Sequence, residues 1–126
     1  MTILDDNYSR TVLDLAKPGE DIVATLTATD AHLLHMALGV AGEAGELVDA
    51  IKKPVIYRQP IDYKNVVEEL GDLEFYMEGL RQHLGITRDE VLKVNMKKLA
   101  KRYPGFRYTN ANAQERADKK DPSHEG

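Results

Sequence analysis

Two pairs of carboxylates stand out by what their neighbours lack. Glu43 and Glu46 lie three positions apart, and so do Glu69 and Asp72. On a helix, an acid is ordinarily answered by a Lys or Arg three or four positions away. Asp49 has Lys52 and Lys53, Glu68 has Lys64, and Glu78 has Arg81. At the same spacings Glu43 meets Gly39, Val40, Glu46 and Leu47, while Glu46 meets Gly42, Glu43, Asp49 and Ala50. Glu69 meets Asn65, Val66, Asp72 and Leu73, and Asp72 meets Glu68, Glu69, Phe75 and Tyr76. Each pair therefore sets two negative charges on one helix face, inside apolar sequence, with no cation at hand. Half-buried like charges are costly unless something compensates them. A divalent cation bridging two helices would do so. Oxygen ligands and an absence of cysteine favour hard Mg²⁺, with Mn²⁺ as the alternative, over zinc. Gly42 and Gly45 directly precede Glu43 and Glu46, and a glycine inside a helix costs about 1 kcal/mol. They predict a close helix approach or a crowded site. The rival di-iron bundle needs Glu-x-x-His motifs, and none of the four histidines has a Glu three residues before it.

A basic segment complements the acids. Asn95, Lys98 and Arg102 fall on one helix face, with Lys101 and Arg107 near. Lys and Arg in this pattern can hold phosphate oxygens. They also suit a helix C-terminus, where cations answer the helix dipole.

Helices must position these groups. Asp6 is placed as the cap of a first helix reaching about Lys17, with Tyr8, Val12, Leu15 and Ala16 on one face; Pro18-Gly19 stops it. Residues 20–29 stay open between helix and strand. Thr29 or Asp30 starts a long second helix to about Lys53, stopped by Pro54, with Leu34, Leu38, Ala41, Val48 and Ile51 inward. Residues 54–61 read as a loop. Asp62 caps a third helix to about Leu84, with Val66, Leu70, Leu73, Met77 and Leu80 inward, and Gly85 ends it. Thr87 and Glu90 form a capping box for a fourth helix to about Tyr103, with Leu92, Met96, Leu99 and Tyr103 as its apolar face. Pro104-Gly105 ends that helix. A short helix near Ala113–Lys119 fits the polar tail, whose last residues are expected to be mobile. The expectation is an all-α antiparallel bundle of four main helices, with one domain over residues 1–110 and a polar tail over 111–126.

The chain has 126 residues, 42% of them hydrophobic and 30% charged, which fits one soluble globular domain. No apolar run approaches the ~20 residues of a membrane span, and the polar N-terminus is unlike a signal peptide. With no cysteine, a reducing cytoplasm is the expected compartment. The net charge of −4 is uneven: residues 87–126 hold ten basic and six acidic side chains, whereas residues 31–86 hold five and nine. The acidic middle argues against a nucleic-acid partner, and no helix-turn-helix signature is present.

LGVAGEAGELVDAIKK, NVVEELGDLEFYMEGL and LGITRDEVLKVNMKKLAKRYPGF together resemble the MazG-like nucleoside triphosphate pyrophosphohydrolases of the all-α NTP pyrophosphatase superfamily. The resemblance covers about Leu33 to Phe106. It implies a helical homodimer or homotetramer that uses Mg²⁺ to cleave an NTP or dNTP into monophosphate and pyrophosphate. By position, it implies Glu43, Glu46, Glu69 and Asp72 as metal ligands and catalytic residues, and Asn95, Lys98 and Arg102 as phosphate contacts. Many members carry a further Glu directly before the first motif Glu; here that place is Gly42. His35 and Tyr76 are the candidate base contacts. A phosphoribosyl-ATP pyrophosphohydrolase-like enzyme and a non-catalytic helical interaction module are the alternatives.

Overall fold

In a computed structural model that describes residues 2–120, every regular element is helical. The elements are α1 (Ile3–Leu15), α2 (Gly19–Thr25), α3 (Ala28–Tyr57), α4 (Tyr63–Leu84), α5 (Arg88–Arg102) and α6 (Asn110–Glu115). Two 3-10 turns, Pro104–Phe106 and Ala117–Lys120, flank α6. The boundary between two compact units falls after His35, within α3.

The helix starts follow side-chain capping chemistry. Thr2, rather than Asp6, caps α1, and its hydroxyl and the Asp5 carboxylate form a capping box. Asp6 sits inside the first turn, where an acid favours the helix dipole. Residues 19–25, left open by the sequence, are helical. The hydroxyl of Thr27 accepts from the Asp30 amide at 3.1 Å, and the Asp30 carboxylate accepts from the Thr27 amide at 3.1 Å, fixing the start of α3. Asp62 caps α4 through the Asn65 amide, and Thr87 with Glu90 boxes the start of α5, both as expected.

Pro54 does not stop α3. The helix runs on to Tyr57 with Pro54 inside it. A proline removes only its own amide bond and crowds the preceding turn, so one more turn can follow it. The end is set by Arg58, whose φ of 52° is left-handed, and the Gln59 amide turns back to the Pro54 carbonyl at 2.8 Å. Gly85 (φ 68°) ends α4 the same way, with the Ile86 amide on the Arg81 carbonyl at 2.9 Å.

Within the second unit, α3 and α4 run antiparallel. A Cβ at Gly39 would collide with the Tyr76 ring, and one at Gly79 would collide with the Met36 sulfur. Each step up α3 is thus matched by an equal step down α4. These glycines, not Gly42 and Gly45, carry the close approach: a Cβ at either of the latter meets nothing within 4 Å. The inward face of α3 is also rotated from the expected one. Met36 is buried, and Val40, Glu43, Ala44, Leu47 and Ala50 are half-buried. Leu34, Leu38, Val48 and Ile51 are exposed instead, as are Leu92 and Met96 on α5 and Tyr8, Val12 and Leu15 on α1. Helix α3 has apolar residues around most of its circumference. Its pattern therefore leaves open which stripe meets α4, and the glycine contact decides. The α4 stripe is nearer expectation, with Val66, Leu73, Met77 and Leu80 half-buried and Leu70 exposed.

The close approach makes a contrast testable. Gly39→Ala should lower stability by about 1–3 kcal/mol, because a rigid ring cannot yield. Gly79→Ala should cost less, because the flexible Met36 end can move aside. Denaturant unfolding of the two variants compares them.

Candidate metal centre

Helices α3 and α4 bring three of the four motif acids together. One carboxylate oxygen from each of Glu43, Glu69 and Asp72 lies within 4.8 Å of the others. Glu43 and Glu69 are half-buried and Asp72 is exposed. The register explains the meeting. Glu43 lies one turn beyond Gly39 on α3, and Asp72 lies one turn before Tyr76 on α4. Glu46 is exposed and stands outside this trio, but one turn further along the same face its charge still reaches Glu69.

The electrostatics are one-sided. Partial burial raises the Glu69 pKa first, and the negative charges of Glu43, Glu46 and Asp72 raise it further. Its carboxyl is also close enough to that of Glu43 for a shared proton. This all-oxygen donor set, drawn from two facing helices and short of positive charge, fits a hard divalent cation. Glu78, by contrast, is answered by Arg81 at 2.7 Å, as its spacing predicts, and Arg81 also reaches Glu74 at 3.4 Å.

The expected phosphate contacts sit on α5. Asn95 is exposed, and Lys98 and Arg102 are half-buried. Arg102 makes a forked pair with Asp118: Nε donates to Oδ1 at 2.7 Å and Nη2 donates to Oδ2 at 3.0 Å. Asp118 is only 1% exposed, and this pairing holds its pKa below the usual carboxylate range. No local pattern points to this pair, because helical i, i+3 and i, i+4 spacing cannot see a partner sixteen residues away. The Tyr76 ring lies against Gly39 and edge-on to Phe75, centroids 5.2 Å apart. His35 is an exposed residue of α3 in the first unit.

The family model of the MazG nucleotide pyrophosphohydrolase domain matches residues 32–106. That is more than half of the chain, and the chain belongs to this family. No curated protein and no solved structure matches it significantly. The matched span contains all four motif acids and the α5 cations.

Two outcomes follow from the crowded carboxylates. Because the folded pKa of Glu69 is raised, its contribution favours folding when protonated and is lost as pH rises through the carboxylate range. Metal-free Glu69→Gln should therefore melt higher than the parent at neutral pH. The parent should gain melting temperature with Mg²⁺, and the variant should lose most of that gain. Thermal melts with EDTA and with Mg²⁺ measure both.

Proposed function

We propose that the chain hydrolyses a nucleoside or deoxynucleoside triphosphate to the monophosphate and pyrophosphate. The observation that carries this reading is the meeting of Glu43, Glu69 and Asp72, in a chain of a pyrophosphohydrolase family. Glu43, Glu46, Glu69 and Asp72 would hold Mg²⁺ or Mn²⁺. Bound there, a divalent cation supplies positive charge against the triphosphate and acidifies water. Glu43 or Glu46 takes the proton from the attacking water as general base. Water oxygen bonds to the α-phosphorus, the α–β bridging P–O bond breaks, and pyrophosphate leaves. Asn95, Lys98 and Arg102 bind phosphate oxygens and stabilise the charge that builds on the leaving group. Tyr76, one turn from Asp72, and His35 are the proposed base contacts. Control of the nucleotide pool, or removal of unwanted nucleotides, in the cytoplasm is the role that suits such a reaction.

The reading includes assembly of identical chains into a dimer or tetramer. Leu38 is 63% exposed, Val67 66% and Phe75 67%. Large exposed apolar faces mark interaction surfaces, and a second copy of the chain would cover them. No helix of the described residues is long and apolar enough to cross a membrane.

The test is a panel of the eight common NTPs and dNTPs with Mg²⁺, with phosphoribosyl-ATP beside them and products separated by chromatography. Monophosphate plus pyrophosphate supports the reading, and the ranking identifies the base. Diphosphate plus orthophosphate, or no turnover by a folded protein, overturns it. Glu43→Gln and Asp72→Asn should each lower kcat by at least about a hundredfold while retaining the helical circular dichroism of the parent.

A further inference from the structure

The C-terminal segment returns onto α5 along a path that is built. Gly105 (φ 72°), Phe106 (φ 55°) and Arg116 (φ 50°) all adopt left-handed backbone, and two of the three are not glycine. Such residues persist only where surrounding contacts hold them. The Tyr103 and Tyr108 rings meet at 5.7 Å, the Tyr108 hydroxyl donates to Asn110 Oδ1 at 2.7 Å, and Thr109 caps α6. The return ends by seating Asp118 against Arg102, with the carboxylate buried and the guanidinium side chain 19% exposed.

Arg102 and Lys98 lie one turn apart on α5, where like charges repel. The Asp118 carboxylate is near both: Arg102 holds it by the fork, and the Lys98 charge also favours its ionised form. From Arg102 it takes the hydrogens of Nε and Nη2, two of the five N–H donors a guanidinium offers. A carboxylate that grips one edge of an arginine fixes its rotamer; Tyr103 is a further hydrogen-bond partner of Arg102, and five donors exceed what these two partners take.

We propose that Asp118 is a positioning residue, which holds the Arg102 guanidinium beside Lys98 in the arrangement that binds the triphosphate. The proposal rests on the phosphate-contact reading of Arg102 given above. The competing idea is that Asp118 occupies the phosphate place and must be displaced. Its enclosure and the fixed return path of the segment argue against a carboxylate that leaves in every turnover. The two ideas predict opposite signs. Removing a negative charge near a phosphate site strengthens anion binding if only charge matters, whereas a lost positioning contact weakens it.

The experiment compares Asp118→Asn, Asp118→Glu, Arg102→Lys and the double variant Arg102→Lys/Asp118→Asn in the full chain. KM and kcat are read on the nucleotide ranked first by the panel. The dissociation constant of inorganic pyrophosphate is read by calorimetry with Mg²⁺, which needs no knowledge of the base. Asp118→Asn should raise both KM and the pyrophosphate constant about tenfold, the size of one charge-assisted hydrogen bond, with a fall in kcat no larger than that of Arg102→Lys. It should add nothing further in the Arg102→Lys background, and Asp118→Glu should recover part of the loss. If Asp118→Asn fails to fold by circular dichroism, Asp118→Glu carries the comparison with a smaller rise in the same constants. A fall in KM, or a change in melting temperature alone, overturns the positioning role while an effect of Arg102→Lys keeps the phosphate reading. If Arg102→Lys moves neither KM nor the pyrophosphate constant, the phosphate reading of Arg102 fails and the role of Asp118 with it.

Discussion

Gly39 lets the Tyr76 ring lie against the backbone of α3, and this close approach sets the register of the α3–α4 pair. Everything at the acidic centre depends on that register. A residue one turn along α3 from Gly39 must face a residue one turn back along α4 from Tyr76, and those residues are Glu43 and Asp72. A ring wedged on a glycine is rigid in a way that two aliphatic chains are not, since a flexible side chain can slide and still stay packed. Met36 on Gly79 repeats the contact one turn further from the acids, with a softer side chain.

The register forces together groups that repel. Glu69 meets partial burial and three negative charges, and its carboxyl resists ionisation for that reason. Without a cation, the seam is held against this repulsion by the apolar contacts at its other end. A divalent cation would reverse the sign of the interaction and turn the weakest part of the seam into a bridge between the helices. Metal binding and helix pairing then belong to one equilibrium. Arg102 presents the opposite arrangement, a cation paired within the chain by Asp118. Among the described residues the acids of the trio have no cationic partner in a salt bridge and the arginine has an anionic one, so the acidic centre is the part with negative charge left over for a cation.

The sequence made much of this legible. The unanswered acids Glu43, Glu69 and Asp72 were visible because helical spacing turns a list of neighbours into a local charge balance. The caps at Asp62 and Thr87 and the stop at Gly85 were visible because they are local chemistry. The start of α1 was missed: Thr2 and Asp6 both have capping side chains, and only the reciprocal bond from Asp5 favours the first. Pro54 misled because its effect depends on whether the chain has further contacts to make. The Gly39 contact was within reach. Gly39 and Tyr76 each lie one turn from a motif acid, on the face those acids share. Gly42 and Gly45 are adjacent to the acids in the chain, but adjacency is not how helices meet. Asp118 was out of reach, because no local rule links it to Arg102 and its neighbours in the chain read as an ordinary solvated tail.

The rotated face of α3 connects the centre to assembly. A helix that gives part of its inward stripe to Gly39 and Glu43 has less of that stripe for aliphatic packing. Its larger apolar residues, Leu38 and Val48 among them, are displaced to other faces and are exposed in the single chain. Burying such side chains is the main favourable term in folding, at roughly 25 cal/mol per Å², and an α3–α4 seam of glycine and carboxylate forgoes part of it. The exposed apolar faces are where further burial would be gained if the proposed assembly forms. On this argument a second copy of the chain, by covering those faces, would supply stability that the acidic seam withholds, and assembly would support the geometry in which Glu43, Glu69 and Asp72 meet. The proposed cation site and the proposed assembly would then share one origin, the glycine and carboxylate that line the inner face of α3.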